Sequence, residues 1–132
     1  MTLRELSQLY WLKQEIKSDV RRLEELKQKR SGSSPSGSGG QGSGEKAGGR
    51  VERLAIAIVD LENEILEKHM DSVREQIRLE RYIADVRDSH LRLIMKQRFI
   101  EGLTWREIAR RTGGGNTPDS VRMMVRRYLR EN

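Results

Sequence analysis

Apolar residues recur every three or four positions along two long stretches of the chain and again near its C-terminus, the spacing of amphipathic helices. In the first stretch Leu9, Leu12, Ile16, Val20, Leu23 and Leu26 form a seam of the a/d kind, flanked by Glu, Lys and Arg. Tyr10 and Trp11 add bulk near its start. Thr2 and Glu5 stand at capping-box spacing, so the pattern predicts a helix over 2–30. In the second stretch Val51, Leu54, Ile58, Leu61 and Ile65 keep the seam, and the register then shifts to Leu66, Met70, Val73 and Ile77. Asp71 can cap a new helix there, or the shift is a stutter. We read one long helix over 50–86, bent near Asp71. Residues 31–49 between the two are mostly Gly and Ser with one Pro, and only Ala47 offers apolar surface. That composition predicts a flexible connection long enough for the chain to reverse. The two helices are expected to pair as a long, antiparallel, coiled-coil-like hairpin. The same seam serves pairing within one chain or between two, so a homodimer through the helical arms stays open.

The last segment, 87–132, carries shorter periods and denser punctuation. Asp88 can cap a helix bearing Leu91, Ile94, Met95 and Phe99, with Gly102 at a left-handed C-cap position. Thr104 and Glu107 stand at capping-box spacing and open a short helix through Arg111. Gly113-Gly114-Gly115-Asn116 reads as a turn. Thr117 is placed to cap a final helix with Pro118 at its first position, where the missing N–H costs nothing. On that helix Val121, Val125, Tyr128 and Leu129 share a face with Met124 beside them, expected to pack on Ile94, Phe99, Leu103 and Ile108. The fold class is therefore all-α: a helical hairpin followed by a C-terminal helix-turn-helix.

Charge sharpens this division. Residues 87–132 hold 11 Lys and Arg against 5 Asp and Glu, while residues 1–86 hold 15 of each, so the net +6 of the chain sits in its last third. A basic module of that shape points to a polyanion, with duplex DNA first. Asp119, Ser120, Arg122, Met123 and Arg126 lie outward on the final helix and are the candidates to read bases in a major groove. Arg can bond guanine bidentately, Met123 can touch a thymine methyl, and Asp119 can accept from cytosine or orient Arg122. Arg106, Arg110, Arg111, Thr117, Arg127 and Arg130 are the candidates for phosphate contacts, which position without specifying.

The run Gln97-Arg98-Phe99-Ile100-Glu101-Gly102-Leu103-Thr104-Trp105-Arg106-Glu107-Ile108-Ala109 resembles the start of the helix-turn-helix in region 4 of sigma-70 family factors, and Thr117–Leu129 resembles the recognition helix that follows it. The arm, linker and module together are similar to small bacteriophage regulators of the ArpU and RinA families. The resemblance implies transcriptional control by a phage- or prophage-encoded protein. It brings host RNA polymerase into view as a second partner, for a sigma-like accessory protein. A DNA-packaging component of the small-terminase kind is a further alternative. One departure stands out: Gly114-Gly115-Asn116 replaces a shorter turn with a buried Val or Ile, which implies a less fixed crossing of the two helices.

Other chemistries find no residues. The chain has no Cys, and His69 and His90 lack partners at ligand spacing, so neither a metal nor another cofactor is expected. No catalytic set can be assembled, and the glycine run lacks the Lys-Ser/Thr of a P-loop, so an enzyme is not expected. The longest apolar run, Leu54–Val59, is far short of a membrane span, and the start reads as an amphipathic segment rather than a signal peptide. The expected location is the cytoplasm of a bacterial host cell, with no membrane partner.

Overall fold

The computed structural model describes residues 1–32 and 44–132. Its elements are α1 (Leu3–Leu6), α2 (Gln8–Arg30), α3 (Gly44–Ala84), α4 (Ser89–Met95), a π-helical segment (Lys96–Ile100), α5 (Trp105–Thr112) and α6 (Pro118–Glu131). No strand occurs among the described residues, and the fold is all-α. Two compact units form: Gln14–Met70, and Met1–Lys13 together with Asp71–Asn132. These cut across the segments drawn from composition, and α2 and α3 each contribute to both.

The unit Gln14–Met70 is a hairpin. Lys27 of α2 pairs with Glu62 of α3 at 3.6 Å, and Lys68 of α3 reaches back to Asp19 at 2.6 Å and Glu15 at 3.2 Å. Later residues of one helix meet earlier residues of the other, so they run antiparallel and pair within one chain. Ile58 and Leu61 are buried on the inner face, while Ile16, Leu23, Leu26, Leu54 and Ile65 are half-buried. A two-helix layer has no third wall, which leaves its seam only partly covered.

Three expectations about this region change. The helix at the N-terminus is interrupted at Ser7, whose hydroxyl donates to the Leu3 carbonyl at 2.9 Å; a serine that bonds the preceding turn competes with the regular ladder. The Gly/Ser-rich connection over 31–49 falls largely, at 33–43, outside the described residues, and its tail from Gly44 to Gly49 belongs to α3. Extending a formed helix adds one bond per residue fixed, and Glu45, Lys46 and Ala47 are good helix formers. The register shift at Leu66 is not a change of seam. α3 continues unbroken, and Asp71 starts no helix but pairs with Arg74 at 2.5 Å. In the hairpin unit Leu66 and Met70 are exposed; in the other unit Ser72, Leu79 and Ile83 are buried, while Val73 and Ile77 are exposed.

The second unit holds one core. Leu91, Ile94, Met95, Phe99, Ile108, Ala109, Val121 and Val125 are buried together with Leu6, Leu9, Leu79, Ile83 and Val86. Leu103, Met124, Tyr128 and Leu129 pack on it partly buried, as the periodicity of the final helix predicts. The N-terminal turn and the end of α3 thus supply part of the floor beneath α4, α5 and α6.

Candidate nucleic-acid interface

Local sequence sets the ends of the helices that carry the basic residues. The Asp88 carboxylate accepts from the His90 and Leu91 amides at 2.9 and 3.3 Å and starts α4. The helix loosens into a π turn over Lys96–Ile100, then stops at Gly102, whose φ of 76° suits a residue without Cβ. The amides of Glu101 and Leu103 donate to the carbonyls of Lys96 and Gln97, satisfying the helix end. Arg98 fixes the exit: its Nη1 donates to the Leu103 carbonyl at 3.0 Å and its guanidinium lies 4.6 Å from the Trp105 ring centre. Burial holds its pKa below the ordinary guanidinium value. Sequence reasoning assigned Arg98 no role of its own. The pairing of an arginine with an aromatic across a glycine corner is the signal that was there.

Thr104 caps α5 by accepting from the Glu107 amide at 3.1 Å, but Glu107 does not complete the box. Its carboxylate turns to Arg110 at 2.6 Å and Arg111 at 3.1 Å. Those bonds, Arg110 first, hold the Glu107 carboxyl below the usual carboxylate range and Arg110 above its ordinary value.

Gly113, Gly114 and Gly115 all have positive φ, at 66°, 62° and 80°. The turn is nonetheless pinned. Asn116 donates to the Gly113 carbonyl from its backbone at 3.1 Å and from its side chain at 2.9 Å, and Ser120 Oγ donates to Asn116 Oδ1 at 3.2 Å. Thr117 and Ser120 then form a full capping box, each side chain accepting from the other's amide. Pro118 occupies the first turn of α6.

The predicted site residues sort as follows. Val121 and Val125 are fully buried and orient α6. Asp119, Met123, Arg126, Arg127 and Arg130 are exposed on it, and the three arginines make no ion pair among the described residues. Arg122 is half-buried, 3.3 Å from Asp119, with its Nε buried and without a hydrogen-bond partner. Ser120, a candidate base reader, spends its hydroxyl on the cap and the turn, while the hydroxyl of Thr117, a candidate phosphate ligand, accepts from the Ser120 amide in the cap. Arg106 is exposed on α5, beside the two arginines engaged by Glu107. α5 and α6 pack on each other within this unit, so both arginine sets belong to one small body.

Among the described residues no cluster of acidic or histidine side chains could hold a metal ion, and no helix is long and apolar enough to cross a membrane. No protein-family profile, curated protein or solved structure matches the chain.

Proposed function

We propose that this chain binds duplex DNA through α5 and α6, acting as a helix-turn-helix in transcriptional control. The observation that carries the reading is the two-sidedness of α6: Val121 and Val125 are driven into the core, while Arg126, Arg127 and Arg130 stand outward, paired with no carboxylate among the described residues. A rigid helix with a free cationic face suits a groove lined by phosphates. Met123 and Arg126 are the readers of base edges. Arg122 acts with Asp119 as a preset pair. Arg106, Arg127 and Arg130 bind phosphate. The resemblance to sigma-70 region 4 and to phage regulators supplies the transcriptional setting.

Fluorescence anisotropy of labelled duplex fragments, titrated over a range of salt, tests this. The Arg126→Ala, Arg130→Ala double variant is expected to bind at least tenfold more weakly. The slope of log affinity against log salt should fall by about one for each phosphate that no longer meets an arginine. An equal double substitution on α2, Arg21→Ala with Arg22→Ala, should change neither. Unaltered affinity and slope in the α6 variant would remove the proposal.

A further inference from the structure

α3 carries a second seam that none of the described residues covers. In the unit Gln14–Met70, α2 lies against the face bearing Leu54, Ile58, Leu61 and Ile65. At 100° per residue, Ile56, Val59, Asn63, Leu66 and Met70 lie on the opposite side, separated by three, four, three and four positions. All five are exposed, Ile56 at 57%, Val59 at 54%, Leu66 at 58% and Met70 at 51%. This is a heptad pattern with Ile56, Asn63 and Met70 at a, and Val59 and Leu66 at d. The row begins after a charge in the same phase, Glu52. Further along the sequence Val73 and Ile77 repeat the spacing, exposed in their own unit.

We infer that this seam binds the same seam of a second copy of the chain, as a parallel, in-register two-helix coiled coil. Asn63 decides the occupant. Placed against an apolar row, its amide would be buried with no partner; in register with itself, it meets another Asn63 and the two amides bond. A parallel alignment shifted by one heptad sets Asn63 against Ile56 or Met70, and an antiparallel one sets it against Val59 or Leu66. The flanks favour self-pairing less: Glu62 of one copy approaches Glu67 of the other. That repulsion is solvent-exposed and screened, and Glu62 is already matched by Lys27 of its own hairpin. The inference stands apart from the proposed DNA function and survives its failure.

Sedimentation equilibrium of the full chain tests it, with two variants. The wild type is expected to be a dimer. Leu66→Lys with Met70→Lys is expected to give a monomer with helical circular dichroism unchanged, since both residues are exposed in the single chain. Because the chain has no Cys, Ile56→Cys introduces one thiol at an a position. Under mild oxidation it should link copies covalently, since facing a residues of a parallel pair lie within disulfide reach. A monomeric wild type overturns the inference, including one that captures a basic amphipathic peptide. So does a dimer indifferent to the two lysines, or an Ile56→Cys variant that fails to link. Should the lysine variant lose helix content, the linking arm decides.

Discussion

Gly114 sits at φ 62° with only Asn116 Nδ2 near where a Cβ would stand, at 4.0 Å. Space is not what selects glycine there; backbone conformation is. Gly114→Ala should therefore lower stability by about 1–2 kcal/mol, read from urea midpoints at unchanged m-value. An unchanged midpoint would mean the turn relaxes to another conformation. Asn116 is the complementary residue, since its side chain ties the C-cap of α5 at Gly113 to Ser120 in the first turn of α6. Glu107 has a pH signature. Its folded pKa is depressed by Arg110 and Arg111, so its stabilising effect is present above the unfolded value near 4.5 and is lost as pH falls through the lower folded value. Glu107→Gln should lower stability at neutral pH and flatten the acid limb, so that urea midpoints of variant and wild type converge as pH falls below the folded value. Lys68 behaves in the opposite sense. Asp19 raises its pKa above 10.5, so its contribution is complete below that value and disappears as pH climbs through the folded one.

At the scale of the element, capping decides where α4, α5 and α6 begin, and Asp88, Thr104 and Thr117 do it in the positions their spacing foretells. Thr117→Ala removes one half of a capping box and should cost about 1 kcal/mol. Faster amide exchange in the first turn of α6, with α4 protection retained, would locate the effect. α3 teaches a different lesson. An apolar residue every three or four positions does not say which of two faces it belongs to. Leu66, Met70, Val73 and Ile77 look in sequence like a shifted continuation of Leu61 and Ile65, yet all four are exposed, the first two in one unit and the last two in the other. In the second unit the buried positions of α3 begin at Ser72, a polar residue that periodicity skips.

At the scale of the molecule, the C-terminal helices share their core with the N-terminal turn and the end of α3. Leu6 is fully buried in the same cluster as Ile108 and Val125. Leu6→Ala should thus destabilise α5 and α6 by about 2–5 kcal/mol, as a cavity in their own core would. Hydrogen exchange should show faster exchange across both helices. Protection in α5 and α6 that persists in the variant would show that they fold without the N-terminal turn. The proposed DNA-binding surface is on this account an N-terminal concern as well as a C-terminal one.

Sequence alone determined the helical class, the caps, the glycine turn, and the sides of α6 that face core and solvent, because each depends on residues within a few positions of one another. It also placed the surplus charge. Tertiary structure decided what no local pattern carries: which α3 face is covered, which hydroxyls and carboxylates are consumed inside the fold, and that residues from both ends of the chain share one core. Those outcomes depend on neighbours dozens of positions away, and hydrophobic burial is indifferent to where in the chain its partners come from.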